Sequence, residues 1–179
     1  MSALRIVLAI TALAIAYGIA HDQVTVRIAP EYFTILHPKI IDSTSPTMLA
    51  FAWGFAATWW MGVGLGTLVA VACRAGWRPK LALRDVSRLL LVIVFLLPIA
   101  AVAGGLAGRV LGDTDVFVPF ATDTRISPER RLDVTTVFSA HVAVEFAGAA
   151  ALVGLAMHSW RLRGLLASRN RADLRGERS

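Results

Sequence analysis

Six side chains combine the right chemistry with a placement that could bring them together: His21, Asp22, Glu31, His37, His141 and Glu145. His141 and Glu145 stand four apart, so on a helix they share one face. They also fall inside an apolar run, where a charged residue costs about 2.5–3.5 kcal/mol at the bilayer centre and faces the protein interior as a rule. Imidazole and carboxylate together suit a divalent transition metal (zinc, iron, manganese or copper) in a mononuclear or dinuclear site whose ligands are oriented by outer hydrogen bonds. The same residues admit three other chemistries: a haem between His21 and His141, a proton or ion path through Glu145 and His141, and a His–Glu hydrogen bond that only fixes the packing of the last helix.

Local motifs do not choose among these. The Glu-x-x-His of di-iron bundles, the His-Glu-x-x-His of zinc peptidases and any His-rich box are absent. Cys73 is the single cysteine, which excludes an internal disulfide, a Cys-rich zinc site and a Cys-x-x-Cys-His haem attachment. His158 belongs to the far end of the last apolar run, too distant to join the others. Trp53, Trp59 and Trp60 read as core aromatics, although an indole N–H at the depth of Glu145 seeks an acceptor.

The elements that must carry these groups are membrane spans. Hydrophobic residues make up 56% of the 179, above the roughly 45–50% of soluble domains. They come in four blocks, about 4–20, 48–72, 89–111 and 134–160, most near the roughly 20 residues a helix needs to cross a bilayer. The blocks lack the apolar–polar alternation of barrel strands, so an all-α bundle of four transmembrane helices in a single domain is expected. Arg5 followed by Ile6–Ala16 and Gly18-Ile19-Ala20 also reads as a signal peptide, whose cleavage would leave three spans.

The formal net charge of +6 follows topology and not a nucleic-acid face. Twelve of the eighteen basic residues lie at the start of the first block (Arg5), in the 73–88 loop and in the 161–179 tail. The loops 21–47 and 112–133 hold five basic residues against eight acids. Positive-inside orientation then places both ends, the 73–88 loop and the tail in the cytoplasm and the two acidic loops outside. Trp77 and Trp160 sit beside the basic clusters as interface anchors. Counting inward from Thr135 at about 1.5 Å per residue, His141 is about 9 Å deep and Glu145 about 15 Å, near the midplane. The first outer loop, with His21, Asp22, Glu31 and His37, begins at the right surface to fold down over them.

Val24, Val26 and Ile28 alternate with Thr25 and Arg27, which predicts an extended stretch lying on the bundle, while Pro30 and Pro38 oppose a long helix. Ser45-Pro46 announces the second long helix, and Ser127-Pro128-Glu129 the last. Val116–Phe120 forms an apolar patch expected to fold back on the bundle. Pro98 is expected to kink the third span. Gly54, Gly62 and Gly66, with Gly104 and Gly108, make small-residue seams for helix packing within the chain, in a homo-oligomer or against a partner membrane protein.

The run Tyr17-Gly18-Ile19-Ala20-His21-Asp22-Gln23-Val24-Thr25-Val26-Arg27, followed by Pro30-Glu31-Tyr32-Phe33-Thr34 and His37-Pro38, resembles the signature of a group of small bacterial membrane proteins. Ser45-Pro46-Thr47, Thr58-Trp59-Trp60-Met61-Gly62, Arg78-Pro79-Lys80 and His141 extend the resemblance over most of the chain. It implies four spans and a bacterial origin, and no activity; with the apolar spans, this makes a bacterial plasma (inner) membrane the expected location. In that group a tyrosine is commoner near Glu145, which makes Glu145 the least secure member of a shared site. Three functions therefore stand as expectations: a metal-binding membrane protein, a small transport or channel component using His141 and Glu145, and a non-catalytic subunit docked through its glycine seams.

Overall fold

The computed structural model describes residues 2–112 and 124–176. The Val116–Phe120 patch and the acids Asp113, Asp115 and Asp123 lie outside the described residues. The described chain is all-helical, with no strand: α1 (Ser2–Ile28), α2 (Pro30–Thr34), α3 (Pro46–Arg74), α4 (Leu83–Leu111) and α5 (Pro128–Gly176). All but α2 are long and apolar enough to cross a membrane. Their outer faces carry exposed large apolar side chains such as Phe95, Val110 and Phe146, the surface that hydrocarbon and not water would cover.

Pro46 and Pro128 each open a helix, where a missing N–H costs nothing and φ is already helical. Two boundaries differ from expectation. The residues after Ala20 are not extended: α1 continues without a break to Ile28. Helical periodicity accounts for the pattern better than alternation, since Asp22, Thr25, Val26 and Ala29 are buried while Val24 and Ile28 face outward. The helix stops two residues before Pro30, whose ring disfavours helical backbone in the residue preceding it. At the other end, the basic segment after Trp160 is not a separate tail, because α5 runs on as one helix to Gly176.

Helices pair through the small-residue seams. A Cβ on Gly54 would stand 2.5 Å from the backbone N of Ile19, one on Gly62 2.8 Å from Cα of Thr11, and one on Gly66 3.2 Å from Cα of Val7. Falling numbers on α1 meet rising numbers on α3, so the two are antiparallel. Gly104 likewise meets Ala143 and Ser139, and Gly108 meets Ser139 and Thr135, making α4 and α5 a second antiparallel pair. These glycine faces are filled inside one chain, so they are not free to dock a second copy or a partner, as one expectation had it.

The two pairs join through α3 and α5, whereas α1 and α4 meet only sparingly. One apolar cluster, with Ile6, Ile10, Val69, Cys73, Val86, Leu90 and Leu155, closes one end of the bundle. A second, with Val26, Phe33, Leu49, Ile126, Val134 and Val137, closes the other. Between them lies a cavity.

Candidate metal centre

His21 and Asp22 reach the bundle interior because α1 is still helical there. They project from its last turns toward α5, where His141 meets them. His141 Nδ1 lies 2.9 Å from the carbonyl of Val137. A carbonyl only accepts, so Nδ1 carries the hydrogen, and in a neutral ring Nε2 presents a lone pair. That Nε2 lies 3.1 Å from Oδ1 of Asp22. Two acceptors face each other at this distance only if a proton or a cation lies between them.

His21 makes the cluster a threesome. One ligating atom from each of His21, Asp22 and His141 lies within 4.8 Å of the others. The His21 ring meets the His141 ring edge-on, with centroids 4.6 Å apart at 71°, and stacks on Tyr17 one turn earlier on α1. His21 Nε2 is buried with no hydrogen-bond partner among the described residues. An unpaired buried nitrogen is a cost unless something else satisfies it. Two ligand atoms on one tetrahedral zinc, each at about 2.0–2.1 Å from it, stand about 3.3 Å apart, so the Asp22–His141 spacing fits such an ion. Three protein ligands are fewer than the four of a closed site and leave a coordination position for water or another ligand.

The remaining three candidates stand elsewhere. Glu31 is held by Arg130 of α5 through two contacts, Nε to Oε1 at 2.8 Å and Nη2 to Oε2 at 3.1 Å. The Arg130 hydrogen bonds hold the Glu31 carboxyl below the usual carboxylate range, so this group is an ion-pair anchor and not a member of the cluster. His37 donates Nδ1–H to the carbonyl of Tyr32 at 2.7 Å and packs against Trp53. The Tyr32 ring separates it from the cluster, with centroids 4.6 Å from both His37 and His141. Glu145 lines the same cavity one turn beyond His141, at an exposed position, and its carboxylate has no hydrogen bond or ion pair among the described residues. The expected His141–Glu145 pair is thus replaced by His141–Asp22. The Trp53 ring packs on His37, edge to face, and not on Glu145.

Three aromatic residues outside the six sequence candidates surround the site. Tyr32 and Phe33 both touch the His141 ring. Burial, with Glu145 and Asp22 nearby, raises the Tyr32 phenol, which stays protonated as a donor. Tyr17 lies four residues before His21, a spacing that places both on one helix face once α1 is known to continue. A haem bound between His21 and His141 does not fit, because a porphyrin between two axial imidazoles needs the rings on opposite sides of its plane and these rings are in contact.

No protein-family model matches the chain, and no curated protein or solved structure does either. The functional reading therefore rests on geometry.

A cavity of about 190 Å³ extends inward from the cluster, lined by all four long helices. The cluster, Tyr32 and His37 form one end of its wall. Leu65, Leu90 and Leu152 line the other.

Proposed function

We propose that this chain is a multi-pass protein of a bacterial plasma membrane that binds a divalent transition metal through His21, Asp22 and His141, on the outer side of its bundle. One observation carries the metal reading: three potential ligands converge from two helices, with a His141–Asp22 contact at 3.1 Å that needs a proton or a cation between its atoms and an unpartnered histidine nitrogen beside it. Four long apolar helices support the membrane. The excess of Arg and Lys at the ends, in the loop 75–82 and beyond Trp160 supports cytoplasmic termini.

The test is metal analysis of the purified full chain after exposure to zinc, iron, manganese and copper separately. About one equivalent of one metal, lost in His141→Ala and retained in His37→Ala, is the expected result. A pair that merely braces two helices would lose thermal stability in His141→Ala with no metal in either protein. Orientation is tested by fusion: a green fluorescent protein at the C-terminus should fluoresce, and an alkaline phosphatase after Asp123 should be active. The opposite pair of results rejects it.

A second reading, a small transport or channel component, has its own support. His141 and Glu145 line one cavity that penetrates the apolar part of the bundle.

A further inference from the structure

The cavity wall is acidic as well as apolar. It includes two carboxylates, Asp22 and Glu145, and no Lys or Arg among the described residues that line it. Asp22 has His141 as a partner. Glu145 has no hydrogen bond or ion pair among the described residues and stands at an exposed position of the wall. A carboxylate facing an apolar chamber whose described wall holds no Lys or Arg favours a cation over an anion. Beyond Glu145 the wall includes the apolar side chains of Leu97, Met61, Leu65 and Leu152. From Glu145 to Leu152 is about 10 Å of helix at about 1.5 Å per residue. The apolar stretch of the wall thus runs on from the charged residue along α5.

We propose that this cavity binds a single-chain organic cation, an amine or quaternary ammonium whose head lies at Glu145 and whose hydrocarbon chain lies along the apolar wall toward Leu152. α1 and α4 both line the cavity and meet only sparingly, so the entry route proposed for such a molecule runs between them from the hydrocarbon phase. The cationic head is held by Glu145 and not by the metal ligands, so the cation site and the metal site can fail independently.

The experiment titrates the full chain, in a non-ionic detergent, with decyltrimethylammonium. Decyl sulfate and decanol serve as chain-matched anion and neutral controls, and bound molecules are counted by native mass spectrometry. One decyltrimethylammonium per chain is expected, with both controls bound at least about tenfold more weakly. Glu145→Gln should lose about tenfold or more in affinity while keeping its metal content, and Glu145→Asp, which keeps the charge, should retain binding. Leu97→Trp, which narrows the chamber and leaves both carboxylates in place, should also weaken it. His141→Ala should lose metal and keep the ammonium. Equal binding of decanol or decyl sulfate, or unchanged affinity in Glu145→Gln, overturns the proposal.

Discussion

Asp22 and His141, 119 positions apart in the chain, meet at 3.1 Å between Oδ1 and Nε2, and the second nitrogen of the imidazole is already committed to the carbonyl of Val137. The contact joins α1 to α5, which otherwise touch little. It turns a surface-type His-Asp dipeptide into part of a buried cluster.

Asp22→Asn should abolish metal binding or weaken it by at least about tenfold, because an amide is a poor metal ligand and supplies no charge. The same holds for His21→Ala. Glu31→Gln should leave metal content unchanged, since Arg130 already holds that carboxylate away from the cluster. Equilibrium dialysis followed by elemental analysis reads all three. Metal loss in Glu31→Gln as large as in Asp22→Asn would show that the ligand set is drawn wrongly.

Gly18→Leu, Gly62→Leu and Gly108→Leu should each lower the melting temperature in detergent, at an overpacking cost of about 1–3 kcal/mol or more. Gly18 stands outside the small-residue seams named from the sequence, which would make it the tolerant position of the three. It is not, because a Cβ there would stand 2.5 Å from Cγ2 of Thr58 and 2.7 Å from the Gly54 carbonyl. Gly64 provides the control: a Cβ on it meets nothing within 4 Å, so Gly64→Ala should melt as the parent does.

Glu31 and Arg130 should give the protein an acid-sensitive component of stability. The folded Glu31 carboxyl titrates below its ordinary value, so the unfolded chain binds its proton first as pH falls. The contribution is complete above the ordinary carboxylate pKa of about 4.3 and fades as pH drops through the lower folded value. Thermal melts from pH 7 to pH 3 should therefore converge for the parent and Glu31→Gln at the acid end, with the parent more stable at neutral pH. A constant gap across that range contradicts the assignment.

Arg163 should matter more than any other arginine in the basic segment. It is completely buried and donates to the carbonyls of Ala72 at 2.7 Å, Ala75 at 2.6 Å, Arg78 at 3.1 Å and Pro79 at 2.7 Å. These include carbonyls at the end of α3 that the helix itself cannot satisfy. Arg163→Ala leaves the buried Ala72 carbonyl without this donor, at about 1–3 kcal/mol. Arg163→Lys, with a single ammonium in place of a planar fork, should recover part of the loss. Arg161→Ala, on an exposed side chain, should change the melting temperature little. Equal effects at the two positions would refute the clamp.

Much of the scaffold is legible in the residues. Four apolar stretches, Pro46 and Pro128 at helix starts, and glycines at steps of four are properties of short segments, and segment hydropathy, proline geometry and side-chain size act locally. The segment after Ala20 misleads for the same reason. Alternation over five residues competes with helical periodicity, and only the burial of Asp22, Val26 and Ala29 against α3 and α5 decides between them.

The six polar candidates, too, can be named from residue type and depth alone. Which of them meet cannot. Asp22 pairs with His141 because the rotation and register of α1 against α3, with Gly18 and Gly54 in close approach, aim it inward, while Glu31 on α2 pairs with Arg130 and His37, beyond α2, turns behind Tyr32. A helix apolar on nearly every side carries little record in its sequence of which way it is turned. That rotation is decided only when the helices pack, by which small residues let two backbones come close, and it is there that the site is made.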